Sequence, residues 1–136
     1  MTVVVDASVA CKWFVTEVGS LAAEAMLTGG EVMLAPDLLI AEVANVAWLK
    51  VRRGEISSDQ ARAMVQGLPR LFDRLAPSAD LADRALEIAV VLAHPVYDCV
   101  YLALAELHRT QVVTADRRLL ARLAGSAWAG LAVALG

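Results

Sequence analysis

"TVVVD", Thr2 to Asp6, is a short β-branched run closed by an acid, and "QVVTAD", Gln111 to Asp116, repeats the pattern near the other end of the chain. A continuous apolar run of this length suits a parallel strand covered on both faces, which has no solvent side to keep polar. Moving outward from the first run, "SVACKWF" and "VGSLAAEAMLTGG" read as helical, the second stopped by paired glycines. "EVMLAP" is a second strand, which Pro36 keeps from simply continuing. With Asp37 as N-cap, "DLLIAEVANVAWLKVRRG" keeps Leu39, Val43, Val46 and Val51 apolar, ends in a basic turn and stops at Gly54. "SSDQARAMVQGLP" is a helix opened by a serine cap and ended by Pro69, and "LFDRLAP" is a weaker strand. "SADLADRALEIAVVLAH" sets Leu81, Ala85, Ile88 and Leu92 along one helical face. A helix from about Asp98 to His108, the strand "QVVTAD", a short basic helix "RRLLARLAG" and a last strand "LAVAL" complete the chain. Strands separated by helices predict an α/β fold, a parallel sheet with helices on both faces.

A chain of 136 residues is expected to form one domain, residues 1–136, with a core that needs neither disulfides nor a metal staple. The longest uncharged run, Leu123 to Gly136, falls well short of the roughly 20 residues a membrane helix needs. The N-terminus lacks the basic start and long apolar stretch of a secretory leader, so a cytoplasmic location is expected. Cys11 and Cys99 lie in no CxxC spacing and near no histidine pair; they read as small buried apolar residues rather than zinc ligands or a disulfide. The net charge of −3 gives no overall attraction to nucleic acid, and the 59% hydrophobic content suggests surface buried against a partner.

In a parallel sheet, ligands bind beyond the carboxyl ends of the strands. Asp6 and Asp116 close two strands, Glu42 lies in the second turn of its helix, and Asp98 interrupts the apolar part of "HPVYDCVYLALAEL". All four can meet at one sheet edge. Carboxylates gathered there would raise one another's pKa values, a conflict that a divalent cation removes. Magnesium or manganese prefers oxygen ligands and keeps several waters. Taken singly, each acid also has a structural reading: Asp98 as a helix cap, Asp6 and Asp116 as turn residues, Glu42 as a solvent-facing side chain. His94 and His108 fall at helix ends, where capping explains them. No Ser–His–Asp grouping or reactive cysteine environment is visible, so covalent catalysis is not favoured.

Four fragments, "VVVDASV", "LLIAEVANV", "YDCVYLALAEL" and "VVTADRRLL", occur in that order along the chain. Together they resemble the PIN-domain ribonucleases, and most specifically the VapC-type toxins of bacterial toxin–antitoxin pairs. The resemblance covers essentially the whole chain. It implies a PIN-like three-layer α/β/α sandwich around a parallel β-sheet of about five strands. It also implies an endoribonuclease dependent on Mg2+ or Mn2+, with Asp6, Glu42, Asp98 and Asp116 as the catalytic, metal-binding acids. Ser8, Asn45 and Thr114 match positions beside those acids, where they would orient ligands or water; their structural reading is helix capping for Ser8 and ordinary strand or helix polarity for the others. The expected reaction is hydrolysis of an RNA phosphodiester by metal-activated water, leaving a 5′-phosphate and a 3′-hydroxyl. The implied partners are a VapB-type antitoxin, whose C-terminal segment lies across the toxin, and a second copy of the chain in a homodimer. Leu119 departs from the pattern of those relatives that carry a further acid there, which leaves a second metal site open.

An acidic protein that binds RNA must concentrate its positive charge locally. Lys12, Arg117 and Arg118 are the candidates for substrate phosphates, while Lys50, Arg52 and Arg53 read as a solvated helix end. Trp13 and Trp48 are available for stacking on bases but fit core or interface positions better. Two other readings stand beside this one. The first is a non-catalytic RNA- or protein-binding module of the same fold. The second is a metal-dependent phosphoryl-transfer enzyme, although "VVVDASV" lacks the second aspartate that haloacid dehalogenase phosphatases need.

Overall fold

Val4 and Val5 are both fully buried. Successive strand residues point to opposite faces, so β1 (Thr2–Val5) is covered on both sides. The computed structural model describes all residues 1–136. It places β1 at the centre of a five-stranded sheet in which every pairing is parallel, flanked by β2 (Val32–Pro36) and β4 (Val112–Thr114). Outside these lie β3 (Arg74–Ala76) and β5 (Ala132–Ala134). The spatial order is β3-β2-β1-β4-β5. After β1 the chain builds one half of the sheet and then crosses to build the other, which makes the carboxyl ends of β1 and β4 the topological switch point. The fold is the expected α/β sandwich, and the weak strand candidate is β3.

The helices are α1 (Ala7–Ala10), α2 (Ser20–Leu27), α3 (Leu38–Arg52), α4 (Ser58–Gly67), α5 (Ser78–Leu92), α6 (Val96–Leu107) and α7 (Arg117–Leu123). The stretch "SVACKWF" is less helical than its pattern suggests, a four-residue turn that tightens into a 3-10 turn at Cys11–Trp13. Ser57 opens α4 through a full capping box with Gln60. Asp37 precedes α3 without capping it. Its carboxylate instead accepts from the backbone N–H and hydroxyl of Ser78, whose oxygen takes the N–H of Leu38. One serine thus ties the starts of α3 and α5 together.

Two expectations about the α5–α6 connection need correction. α6 starts at Val96, directly after Pro95, so Asp98 is its third residue and caps nothing. The His94 side chain does not cap α5 either, although its backbone N–H donates to the Ala89 carbonyl at 3.2 Å. That helix ends at Leu92, Ala93 adopts a left-handed conformation, and Arg122 of α7 donates to the carbonyls of Leu92 at 2.6 Å and Ala93 at 3.0 Å. With its capping task taken by an arginine from far along the chain, the His94 ring is free to turn elsewhere. α6 itself is buried from Cys99 to Ala105 without a break and packs against β1, β2, β4 and α5. Such a helix is apolar all round because protein surrounds it. No helix is long and apolar enough to cross a membrane.

Candidate active site

The switch point is built from the ends of β1 and β4. Asp6, only 7% exposed, follows β1 directly. Its Oδ1 accepts from the Ser8 hydroxyl at 2.6 Å and from the Val9 N–H at 3.3 Å, and its Oδ2 accepts from the buried Thr114 hydroxyl. The Ser8 oxygen also accepts the N–H of Ala115 at 2.9 Å, and the Thr114 oxygen accepts that of Asp116 at 3.0 Å. Ser8 and Thr114 therefore bolt the two strand ends to one carboxylate. Neither hydroxyl acts as a helix cap.

Two more acids reach this point from the helical layers. Glu42 of α3 accepts from the Tyr101 hydroxyl on Oε1 at 2.6 Å. Asp98 of α6 shares a 2.6 Å hydrogen bond between its Oδ2 and His94 Nε2. Burial raises the pKa of Asp6 against the pull of its three donors, and the charge of Asp98 raises it further. Burial likewise raises Glu42, against the Tyr101 hydrogen bond, with Asp98 and Asp6 adding to the rise. Asp6, Glu42 and Asp98 thus share one electrostatic neighbourhood. No lysine or arginine forms a salt bridge with any of the three.

Asp116 is placed differently. Its Oδ1 caps α7, accepting from Arg118 N at 2.9 Å and Leu119 N at 3.3 Å. Its backbone N–H, not its carboxylate, donates to the Thr114 hydroxyl that holds Asp6. Asn45 is exposed on the wall of the adjoining cleft, and its side chain forms no hydrogen bond within the protein. The cleft, about 640 Å3, runs past Ala7, Ser8, Lys12, Glu42, Asn45 and Tyr97. Lys12 stands at its edge but is already held by the carbonyl of Val18 at 2.7 Å and by Glu17 at 3.3 Å. Arg117 lines a second hollow with Lys12 and Thr114, and Arg118 is exposed. Leu119 is buried in the core.

The remaining candidates lie elsewhere. Trp13 packs against Phe72 with ring centroids 5.5 Å apart and donates its indole N–H to the Ala23 carbonyl. Trp48 lies in a separate groove between α3 and α4, beneath the Arg52 guanidinium. Neither reaches the acids. Lys50 is not a solvated helix end: its ammonium sits 3.8 Å from both Glu17 and Glu55, and its side chain is 16% exposed. Cys11 and Cys99 are buried, and burial pushes both thiols up to about 11. Thiols held protonated at neutral pH are poor nucleophiles. The sequence reading missed Tyr101 and His94 as partners of the acids. Tyr101 looked like one more core residue, and His94 could be recognised only once α5 was seen to end before it.

The PIN domain family matches residues 3–126. The chain belongs to the PIN-domain family. This PIN domain is 35% identical over 121 residues to Ribonuclease VapC3 of Pyrobaculum aerophilum, covering 88% of this chain and 92% of that one. It is 40% identical over 89 residues to Ribonuclease VapC1 of Mycobacterium tuberculosis, covering 64% and 65%. Among solved structures, PAE2754 from Pyrobaculum aerophilum superposes with a TM-score of 0.66 at 27% identity, over 93% of this chain and 82% of that chain.

The donors are all carboxylate oxygens, Asp6 buried and the others half-buried, with no lysine or arginine bridging Asp6, Glu42 or Asp98, and internal hydrogen bonds leave Glu42 Oε2, Asp98 Oδ1 and Asp116 Oδ2 unengaged. As the side chains stand, no group of three or more His, Cys, Asp or Glu residues is arranged to hold a metal ion. By donor chemistry, oxygen ligands alone suit a hard, largely hydrated divalent cation held by a few carboxylates rather than a structural zinc.

Proposed function

We propose that this PIN domain is a Mg2+- or Mn2+-dependent endoribonuclease of the VapC toxin type, kept inactive by a cognate VapB-type antitoxin. The observation that carries the reading is the convergence of Asp6, Glu42 and Asp98 from three different elements, with no lysine or arginine paired to any of them and only the His94 imidazole on Asp98. An enzyme without a bound charge would have no use for such an arrangement, since each acid raises the cost of ionising the next. The names of the VapC relatives supply the substrate class, RNA.

Asp6, Glu42, Asp98 and Asp116 would hold the cation, which when bound supplies Lewis acidity and neutralises charge developing on a phosphate. The chain's own residues do the rest. Ser8 and Thr114 fix the orientation of Asp6. Lys12 and Arg117, which line one hollow beside Thr114, would take phosphates of the RNA backbone. Tyr97, 60% exposed beside Asp98, offers the cleft a ring face for an unpaired base. Water adds across the P–O3′ bond, leaving a 5′-phosphate and a 3′-hydroxyl.

The test is cleavage of end-labelled structured RNAs by antitoxin-free protein, with Mn2+ or with chelator, beside Asp98→Asn. Cutting that requires metal and is lost in the variant is the expected result. Cutting that survives chelator, or that leaves a 2′,3′-cyclic phosphate, would overturn it. Metal-loaded protein that binds RNA and never cuts would make this a binding module.

A further inference from the structure

Tyr101 stands in the middle of the apolar run that fills α6, 2% exposed, and is the largest fully buried side chain in the protein. Its neighbours along the helix are Val100, Leu102, Ala103 and Leu104, all buried. Packing alone is served there by phenylalanine, because a buried hydroxyl is costly unless it finds a partner. The hydroxyl has one partner, Glu42 Oε1 at 2.6 Å, on a helix 59 residues earlier in the chain. Glu42 in turn accepts no other hydrogen bond from the protein, so this contact alone distinguishes its two oxygens. One turn before Tyr101 on the same helix is Asp98. α6 thus presents one acid directly and holds a second, borne by α3, through a phenol anchored in the core.

We infer that Tyr101 is a positioning residue: through its hydroxyl it fixes the Glu42 carboxylate so that Oε2 is left for a divalent cation shared with Asp98. The inference rests on the metal-dependent reading above. A carboxylate on an otherwise unrestrained glutamate would have to give up rotamer freedom on binding, and a rigid buried donor removes that requirement beforehand. Tyr101 touches neither substrate nor metal. Its effect is transmitted entirely through Glu42.

The deciding experiment is a double-mutant cycle on Mn2+ binding, read by titration of free Mn2+ by electron paramagnetic resonance in the absence of RNA. The proteins are wild type, Tyr101→Phe, Glu42→Ala and the double variant. Tyr101→Phe is expected to weaken Mn2+ binding by about tenfold, within the range found when a group that orients a ligand is removed. In the Glu42→Ala background, where the hydroxyl has no carboxylate to hold, the same change is expected to leave affinity within about twofold, since the two residues act as one unit. Ile88→Val, which removes one buried methyl group from α5, controls for a general loss of stability and is expected to leave Mn2+ affinity unchanged. An equal loss in both backgrounds, or an equal loss in Ile88→Val, would show that Tyr101 only packs. Unaltered affinity in Tyr101→Phe would overturn the inference and leave the metal-dependent reading standing. Wild-type protein that binds no Mn2+ would overturn both.

Discussion

His94 Nε2 lies 2.6 Å from Asp98 Oδ2, four residues away across the break between α5 and α6. The contact exists because Ala93 turns the chain left-handed and Pro95 starts a new helix, which brings the imidazole back over the first turn of α6. It commits one Asp98 oxygen and leaves Oδ1 free.

His94→Ala should therefore leave the fold intact while lowering both Mn2+ affinity and RNA cleavage by about 10- to 100-fold, the usual cost of removing a hydrogen bond to a ligating carboxylate. His94→Gln, which keeps an N–H donor, should recover part of the loss. Equal activity in His94→Ala and wild type would show that Asp98 needs no such hold.

Arg122 should matter to stability without touching the acids. Its guanidinium closes the last carbonyls of α5. Charge-assisted bonds of this kind contribute about 1.5–3 kcal/mol before solvent exposure reduces them. Arg122→Ala is expected to lower unfolding free energy by about 1 kcal/mol in urea melts, with His94 loosened as a consequence. Arg122→Lys, which cannot span two carbonyls with a fixed planar fork, should recover less than half of the loss.

The acids make the metal-free protein's stability depend on pH. Asp6 and Glu42, raised chiefly by burial, hold a proton more readily in the folded than in the unfolded chain. Their contribution is full below the ordinary carboxylate range and is lost as pH rises through the raised values. Asp37 and Glu106 act oppositely. Ser78 and Arg84 hold them below the ordinary range, so their contribution is present above it and is lost on acidification. Glu42→Gln removes one of the uncompensated charges and keeps an acceptor for Tyr101. In chelator at neutral pH its Tm should exceed that of wild type, with a flatter pH dependence. Added Mn2+ should raise the wild-type Tm by more than that of the variant. A variant that melts below wild type under those conditions would contradict the electrostatic account of the site.

RNA binding should show how the surface charge is used. Arg117→Ala is expected to weaken binding across all RNA sequences and to reduce the salt slope by about 0.7–1, the share of one phosphate contact. Lys12→Ala should have a smaller effect, because Lys12 is already held by Glu17 and Val18. Filter binding at several salt concentrations, in chelator, checks both. An unchanged slope for Arg117→Ala would remove it from the phosphate path.

The strands, their parallel order of burial and the acids at their ends were legible in the sequence, because they follow from local chemistry. β-branched runs with no polar alternation require cover on both faces, and a strand that ends in aspartate carries that acid to the sheet edge wherever the strand goes. Leu81, Ala85, Ile88 and Leu92 could be assigned to one buried face for the same reason, and all four are buried. The serine cap of α4 is likewise a relation between residues three apart.

Tertiary structure alone decided which oxygens of those acids are occupied. Tyr101 meets Glu42 across 59 residues, Thr114 meets Asp6 across 108, and Arg122 takes over the cap that leaves His94 free for Asp98. A hydrogen bond between distant segments depends on where helices pack, not on the spacing of residues along the chain. The sequence by itself determined the kind of sheet and the acids brought to its edge; packing determined how each carboxylate is held, since only a folded core can place a buried donor within bonding distance of it.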